Sequence, residues 1–338
     1  DGSGSPPLPD GVLLIRGERI AEVGPAGQVR VPPVATVLDA GGRTVVPGMI
    51  ESHVHIEDDI PRLLRAFLAD GVTTVGNTGS TPGAVNRFHE AGTLADAARG
   101  FIAGPTITAP GGYPSMRMAE VAHGITGPES GRAAVRYLAA LGVDFVKVAL
   151  EPLDFTPQAS GALPVPAPEA VRAVVAEANA HGLPVRAHIR YADQLKVALD
   201  AGVTSVEHML FALPERAGYR ELCAGGLPDP SALPGLAGNI RRMAGEGVYV
   251  VPTIGTETAN IGRGLGAAAQ DVLPRVQQAM VGVLAEFVGA GGRVALGSDW
   301  VGIPGIPPGL PRAEMAFLVR AGLSPLQVVE AGTRHAAA

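Results

Sequence analysis

One cysteine, Cys223, and two lysines, Lys147 and Lys196, stand among 338 residues. A lone thiol forms no intramolecular disulfide and cannot build a thiolate metal site. It fits a reducing compartment, so a cytoplasmic setting is the expectation, and the flank "ELCAGG" reads as a quiet helix end. No apolar run reaches the 18 residues a spanning helix needs, so no membrane association is expected. No signal-peptide pattern opens the chain, and the missing initiator Met suggests a trimmed or mature form. With a net charge of −6 and no basic cluster, the chain lacks the electrostatic footprint of a nucleic-acid binder.

A hydrophobic fraction of 46% against 17% charged residues describes a globular chain with a large core. Residues 1–46 read as a small β-unit, with "GVLLIRG", "RIAEVG", "ATVLDA" and "RTVVP" as short strands between Gly and Pro turns. From residue 47 the rhythm becomes strand, loop, helix. Strands are expected at 48–54, 72–76, 105–109, 143–150, 184–189, 203–208, 248–253 and 293–298. Helical patterns such as "PRLLRAFLADG", "ESGRAAVRYLAALG", "PEAVRAVVAEANAHG", "YADQLKVALDAG" and "PRVQQAMVGVLAEFVGAG" lie between them, several ending at a C-cap glycine.

Such alternation implies parallel strands joined by crossovers, in an open doubly wound sheet or a closed (β/α)8 barrel. A dinucleotide-binding open sheet would follow its first strand with G-x-G-x-x-G; here "ESHVHIED" follows. The barrel is therefore the expected fold of residues 47–338, and reactive groups belong at the C-terminal ends of its strands.

Those ends are informative. The first carries His53 and His55, two apart and so on one face. The fourth carries Lys147, the fifth His188, the sixth His208 and the eighth Asp299. Each alone has an ordinary explanation, but one divalent-metal centre accounts for all six. The other histidines sit elsewhere: His89 and His335 in helical or loop segments, His181 at a helix end, and His123 in a loop. In a chain that otherwise uses arginine, a lysine inside the apolar strand "VDFVKVAL" invites a chemical reading. Burial lowers its pKa, and the neutral amine reacts with CO2 to give a carbamate able to bridge two ions ~3.5–4 Å apart. A buried ammonium paired with Asp144 or Glu151 is the structural rival; Asp144 lies an odd number of positions away and should face the other side.

The ordered motifs "VVPGMIESHVH", "DGVTTVGNTG", "VDFVKVAL", "HGLPVRAHI", "AGVTSVEHM", "VVPT", "LGSDW" and "AGLSPLQVVEAGTRHAA" resemble the amidohydrolase superfamily along essentially the whole chain. The resemblance is to imidazolonepropionase-like amidohydrolases and metal-dependent Xaa-Pro or Xaa-Arg/Lys peptidases. It implies a distorted (β/α)8 barrel with a small β-sandwich made from both termini, whose C-terminal strands would be missing here. It also implies two divalent ions, with Zn2+ expected. His53, His55 and Asp299 would bind the buried ion and His188 and His208 the exposed one, with carboxylated Lys147 between them.

By the same resemblance a bridging hydroxide attacks the carbonyl of a small amide, dipeptide, N-acyl amino acid or cyclic amide. Asp299 moves the proton to the leaving nitrogen. Substrate contacts are expected from Gly112, Tyr113, Arg190, Tyr191, Thr253 and Trp300 on the loops after the strands, with Arg190 and Tyr191 placed to hold a carboxylate. A surface salt bridge is the plain alternative for Arg190. The chain departs from the family pattern at Glu51, where "IDxHxH" has Asp. Lactone, ester or organophosphate hydrolysis would suit the same centre. A mononuclear deaminase would carry Glu at the position of Tyr191. A non-catalytic metal-binding protein is the reading from another class, and a homo-oligomer is compatible with all of them.

Overall fold

The computed structural model describes residues 4–115, 118–152, 163–208, 236–265, 269–303 and 306–338. The expectation for Cys223 falls outside these residues. The chain divides into two compact units at Pro47/Gly48.

The first unit holds an antiparallel hairpin of β1 (Gly11–Arg16) and β2 (Arg19–Pro25), as the alternation there suggests. The further strands expected at 35–40 and 43–47 do not form. Among the described residues no neighbouring strand takes their backbone hydrogen bonds, and Val34, Val37, Leu38 and Val45 stand exposed. Alternating apolarity makes a strand only where a ladder partner exists.

The second unit carries all eight expected strands: β3 (Met49–Val54), β4 (Val72–Asn77), β6 (Thr106–Thr108), β8 (Val146–Ala149), β9 (Val185–His188), β10 (Ser205–Glu207), β11 (Tyr249–Val251) and β12 (Arg293–Val294). Two short ones were not anticipated: β5 (Arg99–Ile102) and β7 (Ala122–Gly124). His123 therefore lies in a strand rather than a loop, stacked on Tyr137 at 5.3 Å between ring centres. All neighbours are parallel, in a three-stranded sheet β3-β4-β5 and a seven-stranded sheet β12-β11-β10-β9-β8-β6-β7.

Bonds cross between the sheets at both margins. Ser52 N donates to Leu296 O at 2.9 Å and Val54 bridges Trp300; on the other side Asp144 N donates to Ile102 O at 2.9 Å. The expected helices form on the outside. In α1 (Ile60–Ala69), Ile60, Leu63, Leu64 and Phe67 make one buried stripe at i, i+3, i+4 and i+7. The helices α2 (Pro82–Gly92), α3 (Pro128–Leu141), α4 (Pro168–Ala180) and α5 (Ala192–Ala201) follow. Then come α6 (Leu236–Gly245), α7 (Ile254–Leu265), α8 (Ala269–Gly289), α9 (Arg312–Arg320) and α10 (Pro325–Ala331). Within β8, Val146 and Val148 are fully buried while Lys147 takes the intervening face. The period-2 alternation thus separates the apolar layer under the helices from the row of reactive side chains. Among the described residues no helix is long and apolar enough to cross a membrane.

Candidate metal centre

Three backbone positions at successive strand ends share an uncommon conformation. His208, Thr253 and Asp299 have φ of 74°, 52° and 57°, in the left-handed region that non-glycine residues, and β-branched threonine above all, rarely adopt. At His208 the consequence is direct. Neighbours on a strand should face opposite ways, yet Glu207 and His208 both contact His53, through the carboxylate and through the ring at 5.2 Å. The left-handed turn ends β10 and folds His208 back over the site, so two adjacent residues serve it.

His53, His55 and Asp299 converge, the two histidines on the one face that their two-residue spacing gives them. His53 Nε2 is 3.4 Å and His55 Nε2 3.2 Å from Asp299 Oδ1. Ligands at ~2.1 Å in a tetrahedron lie about 3.4 Å apart, so one ion fits between these atoms. His53 Nε2, Asp299 Oδ1 and Lys147 Nζ are buried and, among the described residues, have no hydrogen-bond partner. Buried polar atoms are rarely left so, and the imidazole and carboxylate donors among them are of the kind that suit a divalent cation.

The second pair also meets: His208 Nε2 and His188 Nδ1 are 2.8 Å apart. His208 Nδ1 is held by Thr253 Oγ1 at 2.7 Å, which turns Nε2 inward. Glu257, on α7, lies 3.3 Å from the same Nδ1 and forms with His208 and Asp299 a second cluster able to hold an ion.

Burial sets the electrostatics. It pushes His53 down to about 4, with Lys147 adding to the effect, so the ring is neutral at pH 7. His188 and His208 are driven well below the ordinary histidine value, first by burial and then by neighbouring cations. Metal ligation needs neutral imidazoles, and these are neutral. Burial lowers Lys147 to about 8. For Asp299, burial opposes ionisation, but the imidazoles and Lys147 outweigh it and leave its pKa below the ordinary value. Glu51 departs the other way: burial lifts it to about 8, although its Oε1 accepts from His53 N and Ser298 N at 3.0 and 2.9 Å.

Neither anticipated partner of Lys147 is the one found. Asp144 faces away and accepts from His89 at 2.8 Å, and Glu151 is held by Arg190. Among the described residues the carboxylate nearest Nζ is Glu207, at 3.9 Å. Strand alternation would point Glu207 away from the face that His208 presents, so the sequence pattern does not single it out. The one signal available was an acid directly before a strand-end histidine.

The proposed substrate contacts separate. Tyr113 lies against the His188 ring, 4.7 Å between centres, at the edge of the site. Arg190 is buried rather than on the surface, its guanidinium bound to Glu257 at 2.6 and 3.2 Å, to Glu151 at 2.7 Å and to His188 Nε2 at 2.6 Å. Tyr191 is buried at the start of α5, and Thr253 is engaged with His208. Trp300 packs edge-on against Phe67 and donates from Nε1 to Ile306 O at 3.0 Å. Gly112 is buried close to Thr108, Ala109 and Pro164, where a Cβ would clash.

The profile of the amidohydrolase family matches residues 44–338. An adenine deaminase of Chelativorans sp. (strain BNC1) is 29% identical over 212 residues, 60% of this chain and 32% of that protein. An imidazolonepropionase of Arthrobacter sp. (strain FB24) is 41% identical over 49 residues, 14% of this chain and 12% of that protein. The chain thus spans about a third or less of the length of these curated relatives. The crystal structure of a Xaa-Pro dipeptidase with methionine in its active site superposes with a TM-score of 0.71 at 23% identity, covering 96% of this chain and 81% of that one.

Proposed function

The chain belongs to the amidohydrolase family, and from that premise we propose that it hydrolyses the C–N bond of a small amide, dipeptide or cyclic amide at a centre of two divalent ions. The observation that carries the reading is the set of three buried atoms without a hydrogen-bond partner among the described residues, His53 Nε2, Lys147 Nζ and Asp299 Oδ1, on side chains that couple electrostatically. His53, His55 and Asp299 would hold one ion and His188 and His208 the other, with Lys147, as its carbamate, between them; Zn2+ suits these donors. When bound, such ions supply an acidified water near neutral pH and a Lewis-acid contact for a carbonyl oxygen.

The chain's own groups account for the rest. Asp299, 3.2 and 3.4 Å from two imidazoles and buried, is placed to take a proton on its carboxylate and return it to the departing nitrogen. Lys147, near 8, keeps a usable fraction of neutral amine for reaction with CO2. Tyr113 forms one wall beside His188. Because Arg190 is occupied by two carboxylates, a substrate carboxylate would have to be met by other groups.

A deaminase is the second reading, favoured by the adenine deaminase likeness. Against it, Tyr191 stands where such enzymes carry Glu, and Lys147 points into the site. Elemental analysis of protein prepared with Zn2+ and bicarbonate, with Lys147→Ala alongside, decides between them. About two ions per chain, lost in the variant, supports the bridged centre. About one ion, indifferent to Lys147, moves the reading to a mononuclear deaminase. Dipeptides with C-terminal proline, N-acyl amino acids and adenine are the substrates to compare first.

A further inference from the structure

We propose that Glu207 is a positioning residue: clamped by Arg186, its carboxylate holds His53 as the Nδ1–H tautomer and leaves Nε2 as a bare lone pair facing Asp299. This rests on the metal-centre reading given above and assigns a role to two residues outside its ligand set.

The geometry is a chain of three elements. Arg186 of β9 grips Glu207 of β10 with two parallel bonds, Nε to Oε1 at 2.7 Å and Nη2 to Oε2 at 3.1 Å. Ser205 Oγ adds a bond to Oε1 at 3.2 Å. Oε2 then meets His53 Nδ1 of β3 at 2.5 Å. A carboxylate is acceptor-only, and two bare lone pairs at that distance repel, so Nδ1 carries the hydrogen. A neutral ring has one N–H, so Nε2 has none. That agrees with Nε2 having no hydrogen-bond partner among the described residues and lying 3.4 Å from another acceptor, Asp299 Oδ1. Two acceptors aimed at one point repel until a cation stands between them.

Glu207 can do this because its own position is over-determined. Its side chain is fully enclosed, so no water competes for Oε2. The guanidinium that fixes it lies over the Phe145 ring at 4.8 Å and reaches towards β4, where Gly76 leaves room: a Cβ there would stand 3.4 Å from Arg186 Nη1 and only 2.7 Å from Ser52 O. Lys147 competes weakly for the same oxygen, at 3.9 Å against 2.5 Å for His53. A carboxylate behind a ligating histidine fixes the ring's tautomer and orientation, and losing such a partner typically lowers metal affinity about 10–100-fold.

The rival is that Glu207 only neutralises Arg186. The test is long-range 1H–15N NMR of the chelator-stripped chain labelled at histidine, with His53 assigned by its disappearance in His53→Asn. Nδ1–H with bare Nε2 in the wild type supports the proposal; Nε2–H overturns it. In Glu207→Gln the pattern should shift towards Nε2–H, and Zn2+ affinity of the first site, measured by competition with a chromophoric chelator, should fall about 10–100-fold. Glu207→Asp, retaining charge but not reach, should fall between. Wild-type tautomer and affinity in Glu207→Gln would overturn the role. Should that variant fail to fold, the wild-type tautomer alone decides. A wild type that binds no divalent ion would refute the metal-centre reading, whereas the tautomer pattern is read without metal.

Discussion

The guanidinium of Arg190 is bound through Nη2 to Glu257 Oε1 at 2.6 Å, both side chains almost wholly buried. Glu151 lies 2.7 Å from Nη1 of the same guanidinium. Removing one partner of a buried ion pair leaves an uncompensated charge and costs about 3–5 kcal/mol. Arg190→Met should therefore lower the urea midpoint by a corresponding amount. A variant of unchanged stability, altered only in KM, would restore Arg190 to substrate binding.

Asp299→Asn keeps an oxygen facing His53 and His55 but loses the proton acceptor. Metal content should stay near the wild-type value while kcat falls about 10²–10⁴-fold, the usual contribution of positioned acid–base groups. Turnover within a few-fold of the wild type would remove Asp299 from proton transfer.

Lys147 gives a pH-dependent signature. With its pKa near 8, about a tenth of the amine is neutral at pH 7, against roughly 0.03% for an ordinary lysine. Neutral amine rises with pH up to 8, so after CO2 is purged and metal stripped, recovery of metal uptake at fixed dissolved CO2 should be more than tenfold faster at pH 8 than at pH 6. Lys147→Arg should show no CO2 response. A CO2-independent wild type would make the lysine structural.

Glu314 predicts a stability slope. Buried, and accepting from Ile254 N and Gly255 N at 3.0 and 2.9 Å, it is lifted by burial from 4.5 to about 7. Between those values the folded chain holds a proton that the unfolded chain has released. The stabilisation is complete below pH 4.5 and is lost as pH rises through 7, at up to about 1.4 kcal/mol per unit. Glu314→Gln should remove that component. Gln mimics the protonated acid, so urea midpoints of the two proteins at pH 5, 6, 7 and 8 should lie closest at pH 5 and separate as pH rises, the wild type falling; parallel curves would show that Glu314 keeps one protonation state throughout.

Local periodicity carried most of the fold. The eight strands, the helices between them and the C-cap glycines at positions such as Gly142 and Gly202 depend on near neighbours in the chain, and they form where patterning puts them. The same logic failed at 35–47, where alternation had no ladder partner, and at β5 and β7, which are too short for a period to register.

By itself the sequence determined which six strand-end positions are candidates for a metal centre, because a strand end is a local property and His-x-His needs only a two-residue repeat. Only the tertiary structure decided their partners. Glu207 reaches His53 across 154 residues, and Arg190 reaches Glu257 across 67. Such pairings come from parallel strands and crossovers bringing distant segments side by side, which no local pattern encodes. The left-handed turns at His208, Thr253 and Asp299 belong with them: no residue there prefers that conformation, so it is the surrounding contacts that hold it.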